Sequence, residues 1–166
     1  NMRIVIIGGG IMGGTILLSL LKSASVSSKD ILLIESDDEK LQKIGDSTGC
    51  NIKTEIDETV RSYEIVLLAV KPQSATAVME LLAQWLIPEH VVVSVMAGIS
   101  LNKMRGVLGQ SKLVRVMPNI STLIGEGMSV FFASKEVGNE GREWVNILFN
   151  SCGSCLEVKN EDAIDA

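Results

Sequence analysis

Residues 3–22 read RIVIIGGGIMGGTILLSLLK, and this stretch decides the fold. Residues 3–7 are a β-branched run without polar alternation, as expected of a strand buried on both faces. Ile11–Lys22 follows with Ile11, Thr15, Leu18 and Leu21–Lys22 at helical spacing, which gives a helix with an apolar stripe. Between them stands Gly8-Gly9-Gly10-Ile11-Met12-Gly13, a match to G-x-G-x-x-G. That pattern alone is weak. Directly after a buried strand and opening an apolar helix, it acquires a mechanism. Gly8 permits the tight turn, Gly10 lets a pyrophosphate approach the backbone, and Gly13 lets the helix pack close to the strand. The free N–H groups of Ile11, Met12 and Gly13 and the positive end of the helix then face the phosphates. No G-K-[ST] follows, so a mononucleotide P-loop is excluded.

The alternation continues outward. Ile31–Ile34, residues 65–70 (IVLLAV), residues 91–96 (VVVSVM) and Leu113–Met117 read as further buried strands. Residues 52–54, 128–133 and 155–158 read as shorter ones. Helical periods cover residues 38–45, 72–86, Leu101–Leu108 and 140–150, with a helical turn at Glu58–Ser62. Pro72 suits a first helical turn, and Val78, Leu81, Leu82 and Trp85 share one face behind it. Strands alternating with helices imply crossover units, hence an α/β fold: a Rossmann-like, doubly wound, mostly parallel sheet with helices on both faces. Residues 2–159 form the dinucleotide-binding domain. Residues 160–166 look like the first turn of another helix, so a junction to a further domain is expected there. Asn1, standing before a methionine, is set aside.

Charge and composition narrow the function. The chain has 166 residues, 15 Lys and Arg against 20 Asp and Glu, and a net charge of −5. Its basic residues are scattered singly, which argues against a nucleic-acid surface. No apolar run is long enough to span a membrane, and no export leader is read at the N-terminus. Three cysteines give no disulfide framework, which points to a reducing cytoplasm. His90 is the sole histidine, so no metal site is expected and histidine triads need that residue.

In an open parallel sheet, ligands collect beyond the carboxyl ends of the strands. Glu35 and Ser36 stand at the end of the second strand. A carboxylate at Glu35 accepts hydrogen bonds from a ribose 2′-hydroxyl and repels a 2′-phosphate. The nearest cation is Lys40, so these residues lean to NAD, while Asp37 and Asp38 read as a solvated helix start. At the other strand ends lie Ala69, Val70, Lys71 and Pro72, then Ala97 and Gly98, then Met117, Pro118 and Asn119. Ala69, Ala97 and Gly98 are small enough for a flat nicotinamide ring to lie near the backbone. Lys71 is a contact to a ribose hydroxyl or substrate carboxylate, or else a solvent-facing lysine. Asn119 is a polar wall of the substrate side, or else a turn residue.

These strand ends carry a more specific signal. GGGIMGG (8–14), LLAVKPQ (67–73), VVSVMAGIS (92–100), RVMPNIS (115–121) and GEGMS (125–129) occur in this order. Together they resemble the N-terminal domain of the pyrroline-5-carboxylate reductases, and EDAIDA (161–166) resembles that family's junction into its second domain. The resemblance implies NADPH- or NADH-dependent reduction of 1-pyrroline-5-carboxylate, a small-molecule substrate, to L-proline. It also implies a C-terminal helical dimerisation domain, beyond this chain, that makes a homo-oligomer and supplies most of the substrate loop. Hydride passes to a C=N carbon, and a protonated imine is already electrophilic, so positioning supplies much of the acceleration. A site poor in titratable groups fits that chemistry, and no residue is assigned a catalytic role. Three positions depart from the family. Glu35 replaces a small polar residue, which sets the family's NADP against NAD. Ile56 stands where an asparagine often contacts the cofactor, and Ile120-Ser121 replaces Thr-Pro.

Lesser signals read as structure. Cys152 and Cys155 have C-x-x-C spacing but fit a turn better than a redox pair. Cys50 reads as a buried loop thiol, His90 as a surface residue, and Trp85, Trp144 and Phe149 as core or a face covering the sheet, or else in part an interface with a further domain. Two rival functions remain: a dinucleotide-sensing module without catalysis, and a related reductase acting on another imine, carbonyl or deazaflavin.

Overall fold

A computed structural model describes residues 2–118, 127–151 and 153–164. Eight strands lie in one sheet among these residues: β1 (Ile4–Ile7), β2 (Ile31–Ile34), β3 (Asn51–Lys53), β4 (Ile65–Leu68), β5 (Val91–Ser94), β6 (Leu113–Met117), β7 (Gly127–Ala133) and β8 (Gly153–Glu157). The helices are α1 (Ile11–Lys22), α2 (Asp38–Thr48), α3 (Ala75–Ala83), α4 (Leu101–Leu108) and α5 (Asn139–Asn150). The order is β3-β2-β1-β4-β5-β6-β7-β8. The chain winds outward from β1 to β3 and then returns to β4 on β1's other side. That reversal leaves a crevice at the β1/β4 switch point.

All residues of β1, β2, β4 and β5 are buried, because helices cover both faces. Ile4, Ile6, Leu33 and Val93 pack with Ile16, Leu17 and Leu20 of α1 and with Leu148 and Phe149 of α5. Val5, Ile7, Leu32 and Val66 pack on the opposite face against Met79 and Leu82 of α3 and Met104 of α4. Period-two alternation thus feeds two separate cores, each such side chain contributing about 1.5–3 kcal/mol by leaving water.

The mostly parallel sheet is as read, parallel through β6 with β7 antiparallel to β6 and Met117 opposite Val130. The connection 118–126 is shorter than the dozen or so residues a parallel crossover needs. Three other readings need correction. The stripe Ile11, Thr15, Leu18, Leu21–Lys22 is not the buried face of α1: Ile11 is 93% exposed, and Gly13, Ile16, Leu17 and Leu20 turn inward. Several apolar positions crowd that helix, so periodicity fitted two faces and packing chose one. Nor does the third helix begin at Pro72 and reach Leu86. A 3-10 turn, Pro72–Ser74, precedes α3, which ends at Ala83. Pro88 disfavours helix at Ile87, and Arg61 takes the freed carbonyls of Gln84 and Trp85 while its guanidinium lies over the Trp85 ring.

The third concerns His90, read as a surface residue and found 1% exposed. Its Nδ1 accepts from the Ile87 N–H, and its Nε2 stands 3.1 Å from the Val60 carbonyl. An acceptor role at Nδ1 makes Nε2–H the donor, so both nitrogens are satisfied in the neutral ring. Burial pushes its pKa below the ordinary 6.5, against the opposing pull of the Val60 carbonyl. The unfolded chain therefore takes up the proton first. Stability is full above about pH 6.5 and falls as pH drops from there through the folded-state value. Urea midpoints measured from pH 7.5 to 5 are expected to decline, with a flatter decline in His90→Gln. Equal slopes would show the ring carries no such linkage.

Candidate functional site

Register builds the site. Ile7 of β1 pairs with Ile34 of β2 and Leu68 of β4, and Ile34 pairs with Lys53 of β3. The next residue in each strand, Gly8, Glu35, Thr54 and Ala69, is thereby delivered to one edge. The ladder continues one step past the strands: Gly8 N–H donates to the Ile34 carbonyl and Ala69 N–H to the Ile7 carbonyl, both at 2.8 Å.

Gly8 has φ +109°, and a Cβ there would lie 2.6 Å from the carbonyl oxygen of Ala69. Only glycine fits this backbone and this contact. A Cβ on Gly13 would fall on the carbonyl oxygen of Gly8, so the start of α1 lies directly on the turn. Gly10 is different: a Cβ there would meet nothing within 4 Å. It is the N-cap of α1 and supplies no side-chain cap, and no acidic residue occupies the first turn. By contrast, α2 is capped by Asp37 and α4 by Ser100. The first N–H groups of α1 are thus left for a ligand beside open space, the combination a diphosphate requires.

Beside the turn lies a cleft of about 440 Å³, a size suited to part of a small-molecule ligand. Its apolar walls are Ile7, Ile34, Ile56, Val70, Val78 and Leu81, and its polar residues include Glu35, Ser36, Thr54 and Glu55. Leu81, on the helix face shared with Val78, is 54% exposed and forms a cleft wall with it. The 54–56 segment is tied at its base by the Lys53–Asp57 ion pair at 2.6 Å. That ammonium holds the Asp57 carboxyl down at about 2. Asp57 also accepts from the Thr59 N–H, closing the following 3-10 turn.

Glu35 is more than a wall. One carboxylate oxygen accepts from the Gly9 N–H at 2.7 Å, and the other from the Asp37 N–H at 2.9 Å. Ser36 Oγ lies 3.5 Å from the second oxygen, at the limit of a hydrogen bond. The acid at the end of β2 therefore staples the glycine turn to the start of α2.

The expected site residues divide in two. Gly8, Glu35, Ser36 and Val70 line the cleft, with Gly10, Ile11, Met12 and Gly13 in the adjoining turn and helix start and Ala69 against Gly8. Lys71 and Pro72 are exposed beyond β4, and Ala97 and Gly98 beyond β5, at the same edge but outside the cleft. Met117 and Pro118 lie at the end of β6, whereas Asn119 and Cys152 fall outside the described residues. Thr54 and Glu55 also line the cleft and are absent from the expected set. Applying the strand-end rule to β3, as to β2 and β4, finds them. Burial pushes the Cys155 thiol up to about 11 and raises that of Cys50, so neither is a thiolate at neutral pH. Among the described residues no group of three His, Cys, Asp or Glu is placed to hold a metal, and no helix is long and apolar enough to cross a membrane.

Comparison with known proteins agrees with this architecture. Residues 3–98 match the family model described as NADP oxidoreductase, coenzyme F420-dependent. The chain is 32% identical over 157 residues to pyrroline-5-carboxylate reductase 3 of Mus musculus, covering 94% of this chain and 57% of that protein. It is 34% identical over 163 residues to pyrroline-5-carboxylate reductase of Pasteurella multocida, covering 95% and 58%. The solved Plasmodium falciparum pyrroline carboxylate reductase with NADP bound superimposes with a TM-score of 0.83 at 26% identity, covering 98% of this chain and 60% of that one. The Coxiella burnetii pyrroline-5-carboxylate reductase superimposes with a TM-score of 0.93 at 24% identity, which bears on the fold alone, covering 99% and 61%. The resemblance read from the five ordered segments is borne out by these relatives. The chain spans less than two thirds of their length.

Proposed function

Because this chain belongs to the NADP oxidoreductase, coenzyme F420-dependent family, we propose that it is the cofactor-binding part of a pyrroline-5-carboxylate reductase. The reaction is NAD(P)H-dependent reduction of 1-pyrroline-5-carboxylate to L-proline. The observation that carries the dinucleotide reading is the glycine turn: Gly10 opens an uncapped helix onto free space while Gly8 and Gly13 are locked by contact. The substrate comes from the named relatives, matched across nearly the whole chain.

In this reading Gly8–Gly13 hold the diphosphate, Glu35 and Ser36 the adenosine ribose, and Ile56, Val78 and Leu81 flank the adenine. Val70, Lys71, Pro72, Ala97 and Gly98 border the nicotinamide half, and Met117, Pro118 and Asn119 the substrate. A bound reduced nicotinamide supplies the hydride for the imine carbon, and a proton from solution completes the secondary amine. The chain's own share is to orient the dinucleotide along the strand ends and to shelter its base. Residues 2–159 are the dinucleotide-binding domain and 160–166 the start of a junction. Homo-oligomerisation belongs to the part of the relatives that this chain does not span. The free thiols Cys50 and Cys155 favour a cytoplasmic setting.

Titration with NADH or NADPH is expected to move the amide resonances of residues 8–14, and unmoved resonances would overturn the dinucleotide reading. The 166-residue chain is expected to form proline slowly. Turnover matching that of the full-length relatives would show that the substrate pocket lies within it. With the product of the complete gene, dinucleotide binding without 1-pyrroline-5-carboxylate-dependent oxidation would retire the substrate and keep the cofactor.

A further inference from the structure

We infer that Glu35 makes this chain selective for the dinucleotide with a free 2′-hydroxyl, NADH, over the 2′-phosphorylated NADPH. The inference rests on the dinucleotide reading above and goes beyond it, since the family's description and the Plasmodium relative both carry NADP.

Three observations converge. First, the carboxylate is held in place, its two oxygens fixed by the Gly9 and Asp37 amides. Each oxygen keeps a second lone pair, so the group can still accept from ribose hydroxyls without giving up either amide. A carboxylate restrained at both oxygens cannot swing away from an incoming phosphate without breaking both bonds.

Second, two of the amide donors around the start of α2 are already engaged. The Asp37 N–H is committed to Glu35, and the Lys40 N–H, in the first turn of α2, is committed to the Asp37 side chain. Part of the anion-binding potential of that helix start is thus taken up by the chain's own carboxylates.

Third, the surrounding charge has the wrong sign for a phosphate. Glu35 and Glu55 line the cleft, and among the described residues no lysine or arginine does. Asp38 and Glu39 add two carboxylates in the first turn of α2. Lys40 lines a separate groove between α1 and α2, with Gly9, Gly10, Ile11 and Ile44, and not the cleft that Glu35 lines. A phosphate beside Glu35 would meet like charge with no cation lining the cleft to offset it.

Calorimetry on the 166-residue chain should give an NADH dissociation constant at least about 10-fold below that of NADPH, with the gap narrowing as salt is raised. The fragments AMP and adenosine 2′,5′-bisphosphate should rank in the same direction. Glu35→Ser is expected to close the gap by about 10-fold or more, chiefly by strengthening NADPH. Glu35→Gln, which drops the charge but keeps an acceptor for one amide, should also relieve the NADPH penalty. A purely structural staple would change both affinities by one common factor in either variant, and that result would overturn the inference. So would wild-type binding of NADPH as tight as NADH. Binding of neither dinucleotide would instead remove the underlying reading, and this inference with it.

Discussion

Replacing Gly13 with alanine is expected to lower stability by about 3 kcal/mol, seen as a fall in Tm of roughly 6–12 °C for a domain of this size. The added methyl would fall on the Gly8 carbonyl oxygen and come within 3.3 Å of Ala69 Cβ. Gly8 cannot retreat. Its amide is bonded to the Ile34 carbonyl, and the Ala69 carbonyl already stands where a Cβ of its own would lie. The strain must be relieved by lifting α1 off the sheet, which loosens Ile16, Leu17 and Leu20 from the core. Dinucleotide binding should disappear with it. Gly10→Ala supplies the contrast. Its backbone, at φ −73° and ψ −164°, is open to any residue, and the methyl meets no protein atom. Stability should change by less than about 1 kcal/mol, while affinity for either dinucleotide falls about 100-fold, because the methyl stands where the diphosphate must lie. Thermal melts and calorimetry on both variants decide the matter. Equal stability losses, or a Gly10→Ala chain that binds normally, would show that the turn serves packing alone.

Arg115→Ala is expected to have an effect of similar size at the other end of the chain. The Arg115 side chain is only 4% exposed on β6, and its Nη1 donates to Glu161 at 2.9 Å. The same Glu161 oxygen accepts from the Leu101 N–H at the start of α4. One carboxylate therefore joins the sheet, a helix start and the 3-10 turn Glu161–Ile164, whose Ile164 is buried. Removing one partner of such a pair costs about 3 kcal/mol, because the other partner loses the bond that offset its desolvation. The expected observations are a Tm lower by roughly 6–12 °C and early proteolytic cleavage near residues 158–164. A Tm within about 2 °C of the parent chain, with the C-terminal turn still protected, would show that the turn is held by Ile164 rather than by charge.

The two variants mark different degrees of legibility. The glycine turn could be read in advance because its constraints are local: a strand, a positive φ and a helix start all lie within residues 4–14. Glu35 could be placed by the strand-end rule. Its bond to Gly9 could not, because that bond depends on how far β2 is shifted against β1. Arg115 and Glu161 gave no sign of each other across 46 positions of chain. Leu81 could be placed on an apolar helix face with Val78, and the structure exposes it as a cleft wall.

From the residues alone came the alternation of buried strands and helices, the glycine turn and the family likeness, since these rest on short-range periodicity and backbone sterics. Tertiary packing decided which stripe of α1 faces inward, that β7 turns back against β6, and that His90 is buried between two loops. Those outcomes depend on which surfaces compete for burial once distant segments meet, a competition that neighbouring residues in the chain do not encode.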